Sequence, residues 1–160
     1  MHVSARSDYA LRAMVELAAA DPQPITRESL ASSQHIPINF LANILQQLKT
    51  AGLIVTLRGA EGGYRLARAP DRITLANVIR AVDGPLANVR GERPEAVVYT
   101  GAAEPLRQVW IAVRASLRNV LEQVTLQDIA QGQLPQVVQD LVADPDAWQP
   151  GGRAATQALR

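Results

Sequence analysis

The chain has 160 residues, 48% of them hydrophobic, and a formal net charge of +1. That is enough for one domain of ordinary size with appendages and a sizeable core. Aromatics are only 4% and cysteine is absent, so the core must be Leu, Val, Ile and Ala, and disulfides, thiol redox sensing and cysteine-ligated clusters are excluded. The near-neutral charge neither demands nor excludes nucleic acid, because a local basic face is what matters. Lys49 is the only lysine; the arginine bias suits phosphate and base-edge contacts, and GC-rich codon usage would produce it as well. No apolar run reaches the roughly 18 residues of a membrane span. The N-terminal MHVSARSDYALRA lacks the long apolar region of a secretory signal, so a cytoplasmic bacterial-type protein is expected.

Taken in order, Ser4 is placed to cap a first helix running to about Ala20, with Tyr9, Ala13, Met14 and Leu17 on its inner side. Asp21-Pro22 ends it. Thr26 is the N-cap of a short helix to about Ser33, with Leu30 and Ala31 facing inward. Ser32 to His35 makes a turn, and Pro37 opens a helix whose apolar residues Leu41, Ile44, Leu45 and Leu48 follow the i, i+3, i+4, i+7 spacing of one face. Gly52 is the stop. A helix–turn–helix therefore spans 26–50. The period then changes from helical to alternating: 54–57 reads as a strand, 59–63 as a glycine turn and 64–67 as a second strand. A helix leading into a glycine-tipped hairpin is the pattern of a winged helix-turn-helix, and the fold class is mainly α with a small β-hairpin wing.

Beyond the hairpin, 69–71 forms a break and Thr74 caps a helix marked by Leu75, Val78, Ile79 and Val82, stopped at Gly84-Pro85. Residues 86–104 read as a long polar loop with a short extended piece at 97–99. Pro105 opens the longest helix, whose stripe of Leu106, Val109, Trp110, Val113, Leu117, Val120, Leu121 and Val124 runs for about five turns. The stripe would either pack on its own domain or pair with a second copy; the second is the reading here. Thr125 to Asp128 is a capping-box-like start of a short helix, and 135–143 could form another. From Asp144 the chain is rich in Pro, Gly and small residues and reads as a flexible tail, its start anchored by Trp148. The expected organisation is a DNA-binding domain over 1–84, a loop over 85–104 where an effector would act, a dimerisation helix with short helices over 105–143, and a tail over 144–160.

These pieces resemble one family in order and spacing. SARSDYALRAMVELA, FLANILQQLKTAGLI, LRGAEGGYRLAR, ITLANVIRAVDG and WIAVRASLRNVLEQVTLQDIA look like the first helix, recognition helix, arginine–glycine wing, post-wing helix and dimerisation region of the bacterial winged helix-turn-helix regulators typified by IscR, NsrR and CymR, the BadM/Rrf-two type. The resemblance covers about 1–130. It implies a homodimeric transcription factor, usually a repressor, bound to a palindromic operator on double-stranded DNA.

The resemblance also implies residue roles. Asn39 and Phe40 would enter the major groove, Asn bonding adenine and Phe touching a thymine methyl; for Phe40 a core position is the alternative. Asn43 and Gln46 would read bases or phosphates, and Lys49 a phosphate. Arg58 would enter a narrow minor groove, where negative potential attracts arginine, a solvated strand-end arginine being the alternative, with Gly59, Gly62 and Gly63 permitting positive φ and close approach to the backbone. Thr26 and Tyr64 complete the expected DNA-contacting set. Ala42 replaces a glutamate that sorts operator classes in some members, Pro37 replaces a phosphate-contacting serine, and Glu61 at the wing tip opposes phosphate. His35 replaces a turn glycine and, as a residue enriched at positive φ, reads as a turn residue rather than a ligand.

The main departure is the sensor. Many members hold an iron–sulfur cluster on three cysteines in the loop that here reads PLANVRGERPEAVVYTGAAEPLRQ, and such clusters need thiolates. No cofactor and no metal is expected. Arg90, Glu92, Arg93, Glu95 and Tyr99 are the residues that would meet a small-molecule or protein effector; a solvated loop with salt bridges is the bland alternative. Leu106, Val109, Trp110, Val113, Leu117, Val120 and Leu121 are the expected dimer contacts. The alternative to a DNA-binding regulator is a winged-helix protein-interaction module, since fold alone does not fix function. An enzyme has little support: the two histidines are at the terminus and in a turn, and there is no cysteine nucleophile, phosphate loop or metal-spaced ligand set.

Overall fold

The computed structural model describes residues 3–150. Helix α1 (Ala5–Ala20) starts where expected, with Ser4 Oγ accepting the Ser7 N–H at 3.0 Å. It buries Ala10, Ala13, Met14 and Leu17, and the small alanines let neighbouring helices approach closely. Helix α2 (Arg27–Ser33) is capped by Thr26, and α3 (Ile38–Thr50) follows after a short turn. Leu41, Ile44, Leu45 and Leu48 are all buried. Gly52 ends α3 as the left-handed residue of a Schellman motif: its N–H reaches Lys49 O at 3.0 Å, and the Leu53 N–H reaches Leu48 O at 3.0 Å.

Strands β1 (Ile54–Leu57) and β2 (Gly63–Leu66) pair antiparallel, Ile54 opposite Leu66 and Thr56 opposite Tyr64. The second strand begins one residue earlier than the alternation suggests, because Gly63 is already paired with Leu57. A 3-10 turn at Pro70–Arg72 leads to α4 (Leu75–Asp83), whose capping box pairs Thr74 with Asn77. The end of α4 is stitched to the start of α1: the Asp83 carboxylate accepts from Ser4 and, at 2.6 Å, from Ser7, and pairs with Arg6 at 3.3 Å.

The loop after α4 contains no strand at 97–99; the described chain there is irregular, with buried Val97 pinning it and a 3-10 turn at Gly101–Ala103. Helix α5 (Leu106–Leu121) matches α1 at 16 residues instead of exceeding it. It stops short of the expected five turns because Val124 leaves the helix to be buried, its carbonyl accepting the Leu75 N–H at 3.0 Å. Helix α6 (Leu126–Gln131), capped by Thr125 and Asp128 as the sequence suggests, then returns to the N-terminal core with fully buried Leu126 beside Ile73. A boundary at residue 84 therefore does not separate two packing units. Helix α7 (Gln136–Ala143) is followed by an Asp144-capped 3-10 turn, Pro145–Trp148, in which the Trp148 indole N–H donates to Val142 O at 2.8 Å. The expected tail is thus ordered through its first residues, and 151–160 lie outside the described residues.

Candidate nucleic-acid interface

The geometry of the helix–turn–helix is fixed from below by α1. Helix α2 ends in a second Schellman motif, with Ile36 N–H on Ala31 O at 2.9 Å and His35 in the left-handed position at φ 51°. Histidine at this position is a turn residue, as its place in the sequence suggests. Arg12 reaches up from α1 and donates to Gln34 O in that turn at 2.8 Å, while its other nitrogen pairs with Asp8 at 2.7 Å. This clamp on the turn was not legible in the sequence: the Asp8–Arg12 spacing shows one helical pair, but nothing local announces Gln34.

With its apolar side buried, α3 presents Asn39, Phe40, Asn43, Gln46 and Lys49 to solvent. Asn39, Asn43 and Gln46 are spaced four and three residues apart and form one stripe. Lys49 lies in the last turn, where the helix dipole favours a cation. Phe40 is 55% exposed and is not a core residue. Its ring meets Tyr9 edge-on, with centroids 6.2 Å apart, and the Arg12 guanidinium lies 4.8 Å from the Tyr9 centroid. Tyr9 was expected only as packing; here it props an exposed aromatic on α3.

The wing is tied to the helix–turn–helix through backbone. Ile25 and Tyr64 exchange hydrogen bonds of 2.9 and 2.8 Å, so the residue before Thr26 acts as a short third strand. A Cβ on Gly63 would lie 2.6 Å from Ile25 O, and one on Gly62 would lie 2.7 Å from both Gly59 O and Leu57 O. These two glycines serve the internal packing of the wing, and Gly62 has no positive φ, which corrects the expectation that all three glycines serve positive φ and approach to phosphate. Gly63 does have a positive φ, 154°, but it faces the Ile25 backbone, whereas Gly59 is exposed and at φ 105° with open space around it. The Tyr64 ring packs against the core, so its part in the interface is to join the wing to α2. Arg58, just beyond β1, is exposed. Thr26 is exposed but already engaged, accepting the Ser29 N–H at 3.2 Å and donating to Ser29 Oγ at 2.9 Å. Arg27 is matched by Glu28 at 3.0 Å, and the Glu28 carboxyl is held below its ordinary value by its own backbone N–H and then by Arg27.

The five effector candidates are not brought into one pocket. Arg90, at φ 54°, and Gly91 form the two-residue tip of a tight turn closed by Val89 and Glu92. Glu95 pairs with Arg114 on α5, and its own backbone N–H and then Arg114 hold its carboxyl below its ordinary value. Tyr99 lies elsewhere, its oxygen accepting the Trp110 indole N–H at 2.9 Å. The expected dimer residues lie along a helix that buries none of its side chains: Leu106 and Val109 are exposed, and Trp110, Val113, Leu117, Val120 and Leu121 are half-covered.

This architecture matches known proteins. The family model "Rrf2: Iron-dependent Transcriptional regulator" matches residues 3–132. A relative from Mycobacterium tuberculosis, Rv1287, named among the HTH-type transcriptional regulators, is 47% identical over 145 residues, covering 90% of each chain. CymR of Bacillus subtilis is 34% identical over 81% of this chain and 90% of its own. The solved structure of that CymR, titled the global cysteine regulator, superposes with a TM-score of 0.70 over 82% of this chain and 98% of its own. T. potens IscR superposes with a TM-score of 0.67 at 28% identity, over 88% of this chain and 96% of its own. The iron of the family description does not fit the residues present as a thiolate-bound cluster: the sequence contains no cysteine, and among the described residues no group of three His, Cys, Asp or Glu could hold a metal ion. The winged helix-turn-helix, the exposed face of α3 and a family match over most of the length lead to one conclusion: this chain belongs to the Rrf2 family of transcriptional regulators.

Proposed function

We propose that the protein is a homodimeric repressor that binds a palindromic operator without an iron–sulfur cluster, α3 lying in the major groove and Arg58 in the minor groove. The observation that carries this reading is the pairing of two unsatisfied surfaces. One is the polar face of α3 beside a wing whose base is locked to α2; the other is α5, an amphipathic helix with no buried residue. An isolated chain gains little by keeping Leu106, Val109 and Ile111 in water, and a two-fold partner covering them would present two recognition helices together. Asn39, Phe40, Asn43 and Gln46 read base edges, Lys49 and the wing backbone hold phosphates, and Arg58 reports minor-groove width. None of this is enzymatic chemistry: the residues position, bond and exclude.

Fluorescence anisotropy with the DNA upstream of the protein's own gene tests this, run beside a scrambled duplex and the Arg58→Ala variant over a salt series. The expected result is tight binding to the first duplex only, weakened by Arg58→Ala, with the variant losing preference for A·T-rich flanks. Weak and equal binding to both duplexes would point instead to a docking module.

A further inference from the structure

Arg80 on α4, Arg93 in the loop, and Arg114 and Arg118 on α5 line one open cleft of about 330 Å³ together with Glu95. Guanidinium groups stay charged at every working pH. Among the described residues, two carboxylates pair with these four arginines: Glu95, bonded by Arg114, and Glu122, bonded by Arg80 and 3.8 Å from Arg118. Both carboxyls are held below their ordinary values, Glu122 chiefly by Arg80 and Glu95 by its own backbone N–H and then Arg114, so they stay ionised and the imbalance persists. A chain whose whole net charge is +1 therefore concentrates two uncompensated positive charges in one concavity. Arg114 is the enclosed member, its side chain 16% exposed, while Arg93 and Arg118 stand more open with donors to spare.

We propose that this cleft is a binding site for a small dianion, a phosphate monoester or a dicarboxylate. The volume suits a metabolite and not a macromolecule, and a fork of planar donors matches two anionic oxygens at once. Arg80 also borders a hollow shared with Gln46, Gln47 and Thr50 on α3. An anion that draws Arg80 from Glu122 therefore acts on the contact between α4 and the recognition helix. That effector role rests on the DNA-binding reading above; the binding itself does not.

The test is calorimetric titration of the full chain with inorganic phosphate and, separately, with succinate, each against chloride at matched ionic strength. Saturable one-site binding of either anion is expected, and the preferred one identifies the source. The Arg93→Gln/Arg118→Gln double variant should bind at least about tenfold more weakly, with an unchanged melting curve because both side chains are exposed. Arg72→Gln, an exposed arginine in the 3-10 turn before α4, should leave binding unchanged. No saturation with either anion, or an equal loss in Arg72→Gln, overturns the site. In a second arm, the preferred anion should change the affinity of the wild type for the operator at least about fivefold and that of the double variant not at all. Anion binding with no change in DNA affinity overturns the effector role. Failure to bind DNA with normal anion titration would remove the DNA reading and leave the site standing.

Discussion

Single side chains in the candidate interface divide into those that hold its shape and those proposed to meet DNA, and the two can be separated by measurement. Gly62 belongs to the first group. Its hypothetical Cβ meets two backbone oxygens at 2.7 Å, and neither can rotate away as a side chain would. Gly62→Ala should cost about 1–3 kcal/mol, the range for forcing an extra methyl into a packed site, and thermal unfolding would show it; a variant as stable as the wild type would mean the hairpin turn is loose. Phe40 is proposed for the second group. Being 55% exposed with an edge contact to Tyr9, it should lose no more than about 0.5–1.5 kcal/mol of stability as Phe40→Ala, while operator affinity falls by more than that. If stability falls by several kcal/mol and affinity is unchanged, Phe40 is packing after all. Arg12 shows why part of the first group stays hidden in a sequence. Its partner is a main-chain carbonyl 22 residues away, and a carbonyl has no signature in the letters.

Among the elements, what could be read in advance was what is decided locally. Ser4, Thr26, Thr74 and Thr125 cap the helices they were expected to cap, because a cap is a hydrogen bond within three residues. The apolar face of α3 was visible because period and burial coincide there. The fate of the chain around Val124 was not, since the stripe of α5 continues through it in sequence, while in the fold Val124 is buried and its carbonyl is held by the Leu75 N–H at the start of α4. The same limit applied to the loop, where five polar residues close in sequence go to three different places. Helix α5 is the element with the clearest experimental consequence. A charge placed on its uncovered face at Leu106→Glu or Val109→Glu disturbs nothing buried within the chain, as both residues are already exposed. Each variant should keep its helical circular dichroism. Sedimentation should nevertheless show the mass of a single chain, because a like-charged pair buried in a two-fold interface is strongly unfavourable. A dimer that survives both substitutions would place the interface on another face.

At the scale of the whole molecule, the proposed dimer and the proposed operator constrain each other. Each half is built stiffly: α1 clamps the turn through Arg12, β2 is bonded to Ile25, and Asp83 ties α4 to the start of α1. The two recognition helices of a dimer made through α5 can then adjust to each other only by motion at that interface. Two half-sites about one turn, ~34 Å, apart on one face of the duplex suit such a body. Inserting about five base pairs between them rotates one half-site to the far side of the DNA. Affinity should fall on the order of a hundredfold, within the gap between specific and non-specific binding. The slope of log affinity against log salt should drop toward half, since each lost phosphate contact removes about 0.9 from it. The Val109→Glu chain, meeting one half-site at a time, should bind the original and the expanded operator equally. That equality separates this account from its rivals. A protein that recognises a single half-site would tolerate the insertion in the wild type as well. A flexible dimer would bridge both spacings, and the salt slope would stay at its full value.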